Sequence, residues 1–174
     1  MNMIDVFLAQ LQSAHDHIAR VLRGLNDEQV VYRPSANAHS IGFSIWHALR
    51  AWDSYYALII RTESLYEKEN WAQRFGFDMR GKGVGGAGVG TGFTPEDIAE
   101  MKLNVDVLKE FLERTWDITR NTLGKTGDDG LMRDVVVSWW NPSTTTIARV
   151  LSHIVAHTYV HIGEAEYIRG LLGK

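Results

Sequence analysis

Cysteine is missing from all 174 residues of this chain. That single absence removes disulfides, thiolate metal sites and cysteine nucleophiles together. An excess of basic charge is missing as well. The formal net charge is −3, which offers nothing to neutralise a phosphate backbone, so no nucleic-acid partner is expected. No run approaches the ~18 consecutive apolar residues of a membrane span, and no membrane partner is expected. The opening MNMIDVFLAQLQSAHDHIARVL carries Asp5, His15 and Asp16, where a secretory leader would be first basic and then apolar. It reads as part of the fold, and a cytoplasmic location is the expectation. No internal repeat is evident.

What remains is an ordinary globular composition, 45% apolar and 22% charged. The length suits one domain over residues 1–174, with enough chain to bury a core. Four helical patterns stand out by apolar spacing of three and four. The first, near 3–23, holds Phe7, Leu11, Ala14, Ile18 and Leu22 and stops at Gly24. The second, near 40–62, holds Ile41, Ile45, Leu49, Trp52, Tyr56 and Ile59. The third, 95–123, opens with Thr94 as cap, Pro95 in the first helical position and two acids behind it. The fourth, 143–172, starts after Pro142 with Ser143 or Thr144 as cap. Four such helices predict an all-α four-helix bundle with long connections and ligand sites between facing helices. Residues 131–142, LMRDVVVSWWNP, read as one or two short strands, which would make a short β-hairpin before the last helix, or as an extended cover.

Seven glycines fall within residues 81–92, GKGVGGAGVGTG. They resemble a phosphate-binding loop in composition only, because Gly83 follows Lys82 where Ser or Thr is needed and no strand leads in. The stretch reads as a mobile loop or as a lid over a pocket. Segments 76–93 and 131–142 are expected to border one pocket mouth, since each precedes a bundle helix and has few core-forming repeats.

Three histidines, His153, His157 and His161, stand four apart in the last helix. Positions i and i+4 share a helix face, so adjacent pairs can grip one ion, while the outer two lie roughly 12 Å apart along the axis. Spacing alone leaves open whether His153 with His157, or His157 with His161, forms the pair. His157 and His161 lie close to the apolar stripe through Ile154 and Ile168, where unpaired polar groups are costly, which favours a shared ligand. A third imidazole must come from another helix. His47 lies in the row Ser40, Ser44, His47, Ala51, Ser54, whose small residues leave room beside its ring. An i,i+4 pair plus one facing histidine would make the three-nitrogen set of a catalytic metal site with an open position. Zinc, nickel, iron and copper all accept such ligands. His15, His17 and His39 read as surface or satisfied polar residues.

The stretches SIGFSIWHALRAWDSYY, FTPEDIAEM and HIVAHTYVHIGEAEYIRGLLG resemble the DinB-like superfamily, in order and spacing, over nearly the whole chain. The resemblance implies a DinB-like four-helix bundle in which His47, His157 and His161 hold a divalent metal (zinc, nickel or iron), with His153 beside the site. Many relatives have Arg-Gly-Gln after the last histidine, where this chain has Ile162-Gly163-Glu164. Glu164 could orient His161 or add a carboxylate ligand. Characterised relatives include transferases and isomerases that use mycothiol, bacillithiol or glutathione. The resemblance therefore implies a transferase that activates a low-molecular-weight thiol toward a small-molecule substrate. Around such a metal, Arg50, one turn past His47, reads as an anion anchor, and Tyr159, Glu164 and His153 read as proton carriers. A metal-dependent hydrolase at the same site is the alternative. Another is a non-enzymatic binding protein with a structural or absent metal, which the six tryptophans would suit. Bundles of this size often pair through a helix face, and a homodimer is expected.

Overall fold

Each long helix begins where a side chain can accept the first free amides. In this computed structural model, which describes residues 2–174, helix α1 (Met3–Leu22) is opened by a capping box between Asn2 and Asp5. Its buried Ile4, Phe7, Leu11, Ala14, Ile18 and Val21 recur every three or four positions. A short helix α2 (Asp27–Val31) leads to α3 (Ile41–Ile60), whose first turn is capped by Ser40 at 3.1 Å from the Phe43 amide. Then come α4 (Leu65–Lys68), α5 (Trp71–Phe75), the glycine-rich loop, α6 (Pro95–Glu100), α7 (Val105–Leu123) and α8 (Gly127–Gly130). A two-strand antiparallel ladder, β1 (Asp134–Val136) with β2 (Thr144–Thr146), precedes the last helix, α9 (Ile147–Leu171).

The four long helices form the bundle. α3 packs against α7 and α9, and α1 packs against the same two, so α1 and α3 face each other across the core. Their inward faces meet in one continuous cluster of buried side chains. α3 is buried on nearly every side, because α4 and the hairpin cover what its helix neighbours leave open. Truncating a buried Leu or Ile in such a core costs about 2–5 kcal/mol. α9 contributes Leu151, Ile154 and Ile162 to that core, so its packing does not depend on its histidines.

Two expected helices are shorter than their sequence pattern. The segment 95–123 is not one helix: α6 ends at Met101, which is extended at ψ 131°, and α7 restarts at Asn104. Asn104 Oδ1 accepts from the amides of Asp106 and Val107, and Asp27 accepts from that of Val105. Met101 and Leu103 are both buried in the break, so the apolar rhythm runs on although the helix does not. The last helix starts at Ile147 instead of 143. Thr144, Thr145 and Thr146 pair as β2 with Val136, Val135 and Asp134, a use that suits β-branched residues. Thr146, and neither Ser143 nor Thr144, is the cap.

Candidate metal centre

Because α3 runs along α9, side chains at matched heights meet. The His47 ring centroid lies 4.9 Å from that of His157 and 4.5 Å from that of His161, and the latter two are 4.6 Å apart. The ring planes cross at 65–80°, so the imidazoles converge edge-first instead of stacking. One ring nitrogen from each fits within 4.8 Å of the others.

Two of the rings are already held by their other nitrogen. His47 Nδ1 bonds the Val89 carbonyl, and a carbonyl can only accept, so Nδ1 carries the hydrogen. His161 Nδ1 is 2.8 Å from Glu164 Oε2, and an ionised carboxylate likewise only accepts. Both contacts leave Nε2 with its lone pair, the form that metal ligation needs. His161 Nε2 and His157 Nε2 face each other at 3.3 Å. Two nitrogens each at the ~2.0–2.1 Å zinc distance in a tetrahedron stand about 3.3–3.4 Å apart. The donor set and its spacing fit one divalent cation.

Burial sets the electrostatics. His47 is 6% exposed. Burial, then the neighbouring His161 and His39, push its pKa down to about 4 against the pull of the Val89 carbonyl. Burial and the neighbouring rings push His157 down to about 3. Glu164 would rise by burial alone, but the His161 hydrogen bond and charge, with the Ser44 hydroxyl at 3.1 Å, bring it below its ordinary value. The half-exposed His39 stands 3.7 Å from the same carboxylate.

These shifts make a testable sign. Without metal, the folded chain resists protonating His47 while the unfolded chain takes the proton below about pH 6.5, so stability falls as pH drops toward 4. Asp53 works oppositely, since burial pushes its carboxyl up to about 6. The two effects separate by difference: the stability advantage of the metal-free chain over its His47→Asn variant should shrink by about 2 kcal/mol between pH 7 and pH 5, at ~1.4 kcal/mol per pKa unit. Denaturant titrations at both pH values measure it, and an advantage that stays constant would rule out the buried neutral ring.

The glycine-rich loop supplies the acceptor for His47. All seven of its glycines have positive φ, and the loop closes on itself through Val84 N to Thr91 O at 2.8 Å and Gly88 N to Lys82 O at 3.1 Å. It is a shaped wall. At Gly90, φ is +103°, and a Cβ there would stand 2.7 Å from His47 Nδ1.

His47 and His157 open onto a cavity of about 430 Å³ that Val84, Val89 and Trp139 help to line. Segments 76–93 and 131–142 thus meet at one pocket. A larger cavity, about 750 Å³, lies beyond the loop beside Arg50 and Tyr66. It contains none of the three histidines, whereas His47 and His157 line the smaller one.

The structure does not gather every residue that the sequence singled out. Arg50 turns away from the histidines: its Nη2 bonds Glu67 at 2.8 Å and its Nη1 bonds Ser54 at 2.5 Å, with Asp53 at 3.6 Å. It ties α4 to α3. Tyr159 points to α1, where its hydroxyl donates to Ser13 at 2.8 Å. Glu164 is at the site, on His161 Nδ1. His153 borders the cavity between Tyr55 and Trp140, with ring centroids at 4.9 and 5.0 Å. Sequence reasoning missed the Val89 carbonyl, for which no side-chain signal exists. It also missed Ser44 as the partner of Glu164, although Ser44 lies in the small-residue row.

The sequence profile described as the DinB superfamily matches residues 10–165. No curated protein matches the chain. Among solved structures, a conserved protein from Enterococcus faecalis superimposes with a TM-score of 0.84 at 20% identity, over 100% of this chain and 99% of that one. YfiT from Bacillus subtilis, described as a probable metal-dependent hydrolase with an unusual four-helix bundle topology, gives 0.53 at 15% identity, over 98% of this chain and 87% of that one. At such identities the likeness is one of fold. No helix among the described residues is long and apolar enough to cross a membrane.

Proposed function

Because this chain belongs to the DinB superfamily, we propose that it is a single-domain metal-dependent enzyme whose His47, His157 and His161 hold one divalent cation. The observation that carries the reading is the convergence of one ring nitrogen from each histidine within 4.8 Å, two of the rings being tethered through Nδ1 so that Nε2 stays free. We propose zinc, nickel or iron as the metal and transfer of a low-molecular-weight thiol to a small-molecule electrophile as the reaction. A cation with open positions would lower the pKa of a bound thiol and hold it as the nucleophile. The chain has no cysteine, so in this reading the sulfur arrives with the co-substrate. Val89 and Glu164 hold His47 and His161 in register, and Glu164 acts as a positioning residue. The loop and hairpin walls shield the reacting groups from bulk water.

A hydrolase at the same site is the second reading, and the description of YfiT, whose bundle this chain shares, favours it. Metal analysis of tag-free protein comes first, followed by parallel assays of thiol conjugation and neutral-ester hydrolysis on the loaded protein. Metal-dependent conjugation without hydrolysis is expected. Hydrolysis alone selects the second reading, and stoichiometric metal with neither activity rejects an enzyme. We propose a cytoplasmic homodimer, supported by Val160, Tyr167 and Leu171 exposed along the outer face of α9. Light scattering on the same sample should give about twice the monomer mass, and a mass of one chain would reject the dimer.

A further inference from the structure

The cavity beside the histidines is lined by no Asp, Glu, Lys or Arg side chain. In the metal-free chain a charged group entering it would shed its hydration with only imidazoles and neutral side chains to receive it, which is costly. Its wall carries the hydroxyls of Ser54, Tyr55 and Thr91, and that of Tyr55 is the one held in place by two donors. Tyr55 Oη accepts from Trp139 Nε1 and from Trp140 Nε1, each at 3.2 Å. Its acceptor capacity is thereby used, and its own O–H has no acceptor among the described residues. Tyr55 is 8% exposed, and buried donors without partners are rare. The two indoles also fix the phenol's position, as tilted rings 5.7 Å from Tyr55.

We propose that this cavity binds an uncharged, apolar molecule with an acceptor oxygen (a ketone, ester or ether) that receives the Tyr55 O–H while the carbon skeleton packs on Val84, Val89 and Trp139. The assignment rests on the metal-enzyme reading only in making this molecule the substrate. Its binding does not require the metal.

The test uses the metal-free protein and three small probes: acetophenone, ethylbenzene and benzoate, titrated by NMR. Acetophenone should bind, and benzoate should bind at least about tenfold more weakly, the cost of placing a charge in an uncharged pocket. Tyr55→Phe should lower the acetophenone-to-ethylbenzene affinity ratio about 5–10-fold, the usual worth of one hydrogen bond. Trp139→Phe, which keeps the phenol, should preserve that ratio. A collapsed wall would weaken both aromatic probes alike, so the ratio reads the hydroxyl alone. Tighter benzoate, no acetophenone binding, or an unchanged ratio in Tyr55→Phe overturns the proposal. Zinc uptake is measured separately. Acetophenone binding without zinc uptake defeats the metal reading alone, and zinc uptake without acetophenone binding defeats this one alone.

Discussion

Alanine at His47, His157 or His161 should each empty the cation site, whereas His153→Ala should keep most of the metal. Each of the three contributes one nitrogen to a set no wider than 4.8 Å, and two imidazoles that remain cannot hold an ion as three do. The loss should exceed the roughly 10–100-fold that removing an outer partner of a ligand costs. His153 lies outside this set: its ring edges meet Tyr55 and Trp140, and it stands 5.6 Å from His157 between ring centroids. The variants should fold, because the buried apolar cluster holds the bundle together, and circular dichroism checks this. Metal content after dialysis against one equivalent of zinc is the measurement. If His153→Ala empties the site and His161→Ala does not, the triad is displaced by one turn.

Gly90→Ala should loosen the site without touching a ligand. With φ at +103°, any side chain there is strained by about 1–3 kcal/mol. The added Cβ would also stand 2.7 Å from His47 Nδ1 and 2.9 Å from the Trp46 ring. Neither neighbour can yield easily, since both are buried in α3. The loop must lift, and His47 then loses the Val89 carbonyl that orients it. The expected result is a 10–100-fold loss of zinc affinity, the order seen when a ligand's outer partner is removed, together with a lower melting temperature. Gly85→Ala is the control. Gly85 also has positive φ, but nothing lies within 4 Å of the position its Cβ would take. It should lose some stability and keep its zinc affinity. Equal zinc affinity in Gly90→Ala and the unaltered chain would show that the loop does not orient His47.

The features legible in the sequence are those set within a few residues along the chain. Apolar residues at three and four spacing make a helix amphipathic wherever it packs, so α1, α3 and α7 could be read from their rungs. The Thr94-Pro95 start of α6 is equally local, since the cap bonds an amide three residues on. The i,i+4 spacing put His157 and His161 on one face before any partner was known. The break at 101–104 was hidden because Met101 and Leu103 stay buried through it, and periodicity cannot separate a buried turn from a buried helix. Thr144–Thr146 became a strand because β1 lay in reach, a pairing that helix capping at Thr144 would have forbidden. Tertiary structure alone decided what surrounds the histidines. Arg50 follows His47 by three positions, yet Glu67 and Ser54 draw its guanidinium away, because a buried cation goes to the nearest carboxylate and hydroxyl. Tyr159 lies among the histidines in sequence and faces α1, since helix rotation sends adjacent residues to different faces. The acceptor for His47 is a backbone carbonyl 42 positions away, and every residue type carries that group, so only the path of the folded loop could place it there.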